Sequence, residues 1–133
     1  MNMNPVVHFE MPYEDRDRMA DFYAKAFGWK SEMYGPEMGN YVVAHTTETT
    51  AEGMIQEPGR INGGFYQKPE DPAGQVPSVV IAVDDIQSAM ERVRASSGTI
   101  LGEPMDIPGV GKYVSFLDTE GNRASMLQAI ARR

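Results

Sequence analysis

The sequence predicts an α+β fold made of two tandem β-α-β-β-β modules that pair their sheets around a shared cavity. Three observations carry this expectation: similar segments recur in the two halves, each half holds one amphipathic helix, and strand-like segments cut by glycine and proline follow each helix. The repeat is plainest where "GNYVVAHTT" (39–47) lies over "GKYVSFLDT" (111–119). Gly39/Gly111, Tyr41/Tyr113, Val42/Val114 and Thr47/Thr119 are identical there, at an offset of 72 residues. Upstream, "PYEDRDRMADFYAKAFG" (12–28) lies over "AVDDIQSAMERVRASSG" (82–98) at an offset of 70. Glu14–Asp15 then meets Asp84–Asp85, and Gly28 meets Gly98. The shared order of elements argues against chance more strongly than the identities do.

Taken in order, the first strand (about 5–11) contains "VVHFEMP" (6–12). Alternate strand residues share a face, so Val7, Phe9 and Met11 line one side and Val6, His8 and Glu10 the other. Met19, Phe22, Tyr23, Ala26 and Phe27 follow as a helical stripe. The acidic pair before it suits an N-terminus, where carboxylates cap free amides, and Gly28 suits the left-handed closing residue. Strand-like segments at 30–35, 40–46 and 61–67 complete the half. In the second half, the strand at 77–83 places Ser78, Val80 and Ala82 on one face and Val79, Ile81 and Val83 under the helix. That helix carries Ile86, Ala89, Met90 and Val93, and Gly98 is its expected left-handed end. Segments 99–105, 112–117 and 123–129 follow, the last with Arg123, Ser125 and Leu127 on the inward face. Residues 1–133 thus read as one domain, with modules at 1–70 and 77–133 and the Pro- and Gly-containing stretch 68–76 as linker. One sheet face of each module would stay bare unless two modules paired them, which gives the repeat a physical purpose. The stretch 46–60, "TTETTAEGMIQEPGR", has no counterpart of similar length in the second half. It reads either as a loop at a cavity mouth or as a plain surface excursion.

Composition narrows the function classes. With 41% hydrophobic and 23% charged residues, the chain has an ordinary globular balance. There are no cysteines, so disulfides, thiolate metal sites and cysteine nucleophiles are excluded. A net charge of −7 argues against nucleic acid, whose phosphates call for Lys and Arg, and is compatible with a cationic ligand. No apolar run approaches the roughly 18–20 residues of a membrane helix. The start "MNMNPVV" lacks the features of a secretory signal, so no membrane partner and a cytoplasmic location are expected. The glycines of "PGVG" and "TEGN" are accounted for by turn chemistry rather than by a phosphate loop.

The paired units, together with "VVHFEMPYEDRDRMADFYAKAFGWK" (6–30), "VVIAVDDIQSAMERV" (79–93) and "PGVGKYVSFLDTEGN" (108–122), resemble the vicinal oxygen chelate superfamily. That group includes glyoxalase I, bleomycin-resistance proteins and extradiol dioxygenases. The FY…FGW segment and the D-x-E-G-N turn are the most specific parts, and with the repeat the resemblance spans nearly the whole chain. It implies a divalent metal held by His and Glu side chains on the cavity-facing sheets. The first ligand position, fourteen residues before Phe22, falls on His8. The second falls on Ser78 and the third on Ser125, while the fourth lies near Gly63 or Gly64, where no carboxylate stands. One ligand of four is therefore retained, and serine hydroxyls with a glycine do not replace a His and carboxylate set. No metal or other cofactor is expected at the usual site. A different metal site built from His8, Glu10 and His45 is the alternative.

The candidate catalytic residues are His8 and Glu10, a titrating imidazole beside a carboxylate; a hydrogen-bonded structural pair is the other reading. Candidate ligand-binding residues are Ser78, Arg123, Ser125, Tyr41, Phe65 and Tyr113, with Trp29 and Met105 as further possible walls. By the resemblance, the chain is a homodimer that binds a small organic molecule without a metal. A lyase, isomerase or dioxygenase using His8 with Glu10 or an atypical metal, and a scaffold without catalysis, are the alternatives. Whether it is an enzyme stays open at this stage, because one fold hosts many chemistries.

Overall fold

A computed structural model of the chain describes residues 3–130. The element order is β1 (Val6–Tyr13), α1 (Arg16–Phe27), β2 (Lys30–Met33), β3 (Val42–His45), β4 (Asn62–Gln67), β5 (Ser78–Ala82), α2 (Ile86–Ala95), β6 (Thr99–Ile107), β7 (Gly111–Leu117) and β8 (Arg123–Ala129). Short 3₁₀ turns at Pro36–Met38 and Pro72–Gly74 add to these. The fold is α+β, with two β-α-β-β-β modules as the sequence predicts. Two compact units are distinguishable, one of His8–Pro77 and one of the chain start through Val7 together with the chain from Ser78 onward. The boundary thus falls inside β1, whose opening residues count with the second unit.

The sheet of the first unit runs β2-β3-β4-β1. Here β1 and β4 are parallel, with Glu10 opposite Gly64 and Met11 opposite Phe65, while β3 is antiparallel to both of its neighbours. In the second unit the order β6-β7-β8-β5 has the same plan. There β5 and β8 are parallel, with Val80 opposite Ser125, and β7 is antiparallel to its neighbours. Register turns the sequence repeat into positional equivalence: Glu10 corresponds to Val80, and Gly64 to Ser125.

Local chemistry explains the helices. Asp15 caps α1 by accepting from the Arg18 amide at 3.1 Å, and Gly28, at φ 73°, closes it with its own amide on the Ala24 and Tyr23 carbonyls. Asp85 caps α2 through the Gln87 amide at 3.1 Å. The left-handed residue after α2 is Ser97, at φ 72°, and not the expected Gly98. Glycine is needed at 98 for space instead, since a Cβ there would come within 2.7 Å of Val93 Cγ1 and 3.0 Å of the Leu117 carbonyl oxygen.

Each helix covers one sheet face. Under α1, Tyr13, Val42, Ala44 and Phe65 form a buried cluster joined by Phe9, Met11, Met19, Tyr23 and Trp29. Tyr23 stacks on Trp29 with centroids 4.6 Å apart, and Phe9 and Phe65 lie against the same indole. Under α2, Val83, Ile86, Ala89, Met90, Val114 and Met126 are buried with Ile81, Val93, Ile100 and Phe116 around them. The expected stripe on α1 is corrected in part. Met19 and Tyr23 turn inward and Ala20 is buried, but Ala26 is exposed and Phe22 and Phe27 stand 56% and 64% exposed. Phe22 and Phe27 instead lie against the outer side of the cluster, in ring contact with Tyr23 and, for Phe27, with Trp29.

Candidate functional site

With Phe9 and Met11 committed to the helix side, alternation leaves His8 and Glu10 on the helix-free face of the first unit's sheet. Glu10 is buried, at 6% exposure, and His8 is half-buried. Tyr41 joins them. Its hydroxyl donates to Glu10 Oε2 at 2.9 Å and also lies 3.0 Å from His8 Nε2. Two successive left-handed residues, Gly39 at φ 65° and Asn40 at φ 56°, aim the chain into Tyr41, and the Tyr13 hydroxyl fixes the Asn40 carbonyl at 2.8 Å. Burial holds the His8 imidazole below its ordinary pKa, while the Glu10 charge pulls the other way and is the smaller effect.

The double glycine on β4 now has a physical reading. A Cβ on Gly63 would strike the Phe9 ring on the helix side, and a Cβ on Gly64 would strike the Tyr41 ring on the other. Both faces of this strand are thus covered by aromatic rings that only glycine admits. The space into which a side chain at position 64 would project is filled by Tyr41.

A second polar cluster lies on the helix-free face of the second unit. Ser125, fully buried, bonds the Tyr113 hydroxyl at 2.7 Å and the Ser115 hydroxyl at 2.9 Å. Arg123 donates through Nη1 to Ser78 and through Nη2 to Ser115, both at 3.3 Å. Ser115 was missed in the sequence. It stands two residues from Tyr113 on β7 and opposite Ser125, so alternation alone would have found it.

Several expected site residues lie elsewhere. Phe65, expected to bind ligand, is fully buried in the α1-side cluster, because it pairs with Met11 and shares its face. Trp29 belongs to that same cluster, and Met105 is 59% exposed beside the irregularity in β6. His45 meets Glu32 at 2.5 Å, and Glu32 also accepts from the Tyr34 hydroxyl at 3.2 Å, so the alternative grouping of His45 with His8 and Glu10 is not formed. Among the described residues, no group of three or more His, Cys, Asp or Glu side chains is arranged to hold a metal ion. The stretch 46–60 forms a small excursion closed by a bridge between Thr49 and Ile55. Its base, with Lys30, Glu32 and His45, frames an open groove of about 500 Å³. The Asp118 carboxylate accepts from the Asn122 backbone amide at 2.9 Å, from Asn122 Nδ2 at 3.1 Å and from the Glu120 amide at 2.9 Å, and these bonds hold its pKa below the usual carboxylate range. The TEGN segment is accordingly a turn. Among the described residues, no helix is long and apolar enough to cross a membrane.

Comparison with known families decides the classification. A family model described as Glyoxalase/Bleomycin resistance protein/Dioxygenase superfamily matches residues 6–126. The chain belongs to this superfamily. A glyoxylase-like domain-containing protein of Didymella fabae is 32% identical over 114 residues, covering 85% of this chain and 84% of that protein. The anthracycline biosynthesis protein DnrV of Streptomyces peucetius is 27% identical over 124 residues, and the match spans 85% of this chain but only 42% of DnrV. Among solved structures, a methylmalonyl-CoA epimerase of Streptomyces coelicolor in complex with 2-nitronate-propionyl-CoA shares the fold with a TM-score of 0.70. The overlap covers 98% of this chain and 100% of that one, at 16% identity. At that identity the likeness shows a shared fold.

Two expectations follow from the geometry. Gly64→Ala and Tyr41→Ala should each destabilise the protein, the first by about 1–3 kcal/mol through overpacking. The double variant should cost less than the sum, with a coupling of about 1 kcal/mol or more in denaturant unfolding; additive losses would mean that the ring and the glycine do not share the space. The second concerns pH. Because the folded His8 resists a proton that the unfolded chain accepts below about pH 6.5, His8 stabilises the fold less as pH falls through that value. The stability lost between pH 7.5 and 5.5 should therefore be smaller in His8→Gln than in the parent, measured by urea unfolding at both pH values.

Proposed function

We propose that the protein binds a small organic molecule without a metal, on the helix-free face of the first module that carries His8, Glu10 and Tyr41. Ser78, Tyr113, Ser125 and Arg123 form a candidate binding face of their own on the second module. One observation carries this reading. The Tyr41 ring occupies the space over Gly64, where the superfamily resemblance expects a carboxylate ligand, and its hydroxyl engages His8 Nε2 and Glu10. The remaining two expected ligand positions hold Ser78 and Ser125, both bonded to neighbouring side chains. Such a donor set does not fit a divalent transition metal, which wants imidazole and carboxylate groups converging on one point. No step is therefore assigned to a metal. On each face, an aromatic hydroxyl with its polar neighbours suits instead the few polar groups that orient a small molecule. Homodimerisation, implied by the superfamily, is part of the proposal.

A second reading is favoured by the same hydrogen-bonded chain. His8, Tyr41 and Glu10 are linked in a row along which a proton could pass, as a lyase or isomerase would need. Likeness to an epimerase at 16% identity speaks for the fold alone and supplies no substrate. Similarity to an anthracycline biosynthesis protein gives a reason to include that compound class among the first probes.

The test combines metal analysis with ligand binding. Untagged, chelator-free protein, incubated with nickel, zinc, iron and manganese and then desalted, is expected to retain no stoichiometric metal. Its melting temperature is expected to rise with doxorubicin or another member of a small-molecule panel, and to rise less in Tyr41→Phe. Near-stoichiometric metal that disappears in His8→Ala would overturn the metal-free reading, and a panel without any stabilising compound would overturn the binding reading.

A further inference from the structure

We infer that His8 meets its ligand through Nδ1, acting as a hydrogen-bond acceptor, so that the site selects a small molecule offering a hydroxyl or an amine rather than a carboxylate or phosphate. The inference rests on the binding reading above and names the chemistry of its ligand. A tyrosine hydroxyl has one hydrogen. In Tyr41 that hydrogen is given to Glu10 Oε2 at 2.9 Å, so the 3.0 Å contact with His8 has the imidazole Nε2–H as donor and the Tyr41 oxygen as acceptor. A neutral imidazole carries one N–H, and with the proton on Nε2 the other nitrogen is a bare lone pair. Among the described residues, none hydrogen-bonds His8 Nδ1. The ring is half-buried, and among the described residues Ser31 Oγ alone is a fully buried side-chain N or O atom without a partner, so the unpartnered Nδ1 keeps solvent contact and is open to an incoming molecule.

Neighbouring chemistry points the same way. The Glu10 carboxylate projects from the same strand face two residues away, and a negative ligand group beside it would meet like charge. A neutral hydroxyl avoids that repulsion, and a protonated amine gains from the carboxylate. Tyr41 is in this account a positioning residue: by giving its hydrogen to Glu10 it fixes which nitrogen of His8 faces outward.

Nitrogen NMR on protein labelled at histidine tests this directly. In the unliganded protein, the His8 Nε2–H proton is expected to be visible and slow to exchange with water, with Nδ1 unprotonated. Tyr41→Phe, which removes the acceptor but leaves the ring over Gly64, is expected to abolish that protected signal. Benzyl alcohol and benzylamine are then expected to shift Nδ1, with benzoate and benzyl phosphate at least tenfold weaker. A proton on Nδ1 in the unliganded protein would overturn the inference, as would benzoate shifting Nδ1 as readily as benzyl alcohol, or no Nδ1 response to either donor probe. If doxorubicin or another panel member stabilises the protein without moving Nδ1, the inference falls and the binding reading stands. If nothing in the panel binds, the binding reading falls and the inference falls with it.

Discussion

The arrangement of the helix-free face in the first module depends on one hydroxyl. Tyr41 Oη lies within hydrogen-bond distance of both His8 and Glu10, two polar groups that alternation alone would bring only onto the same side of a strand. A buried carboxylate without a donor costs several kcal/mol, and the bond from Tyr41 to Glu10 offsets part of that cost. The same ring excludes any side chain from position 64, and the left-handed pair Gly39 and Asn40 is what brings it there.

The second module answers the same positional problem with different residues. Where the first places a ring over a glycine, the second buries Ser125 between Tyr113 and Ser115. Tyr41 and Tyr113, identical in the repeat, both direct their hydroxyls to the helix-free face. The first reaches a carboxylate and an imidazole, and the second a serine. One tandem fold has thus diverged at a few facing positions while keeping strand order, register and both helix-side cores.

Much of this was legible in the sequence. The repeat gave the order of elements, and the acidic pairs and Gly28 marked helix ends with the physical means that close them. Alternation placed His8 and Glu10 together because a strand's period of two leaves no freedom. What escaped was decided by three-dimensional fit. Phe65 reads as an aromatic near a candidate site, and only its pairing with Met11 sends it to the helix side. The reason for Gly63 and Gly64 is two rings from other strands or loops, which no local pattern announces, although two glycines inside a strand are themselves a signal of close approach. Gly98 was misread as a left-handed end because crowding against Val93 and a need for positive φ both select glycine and cannot be told apart by residue type.

The central claim is that Tyr41, rather than a metal, completes the His8–Glu10 cluster. A crystal structure of the protein grown with nickel, with data collected at the nickel absorption edge, tests it most directly. The expected result is the Tyr41 ring over Gly64, its hydroxyl between His8 Nε2 and Glu10, and no anomalous peak there. A nickel ion bonded to His8 Nε2, with Tyr41 swung away from Gly64, would contradict it.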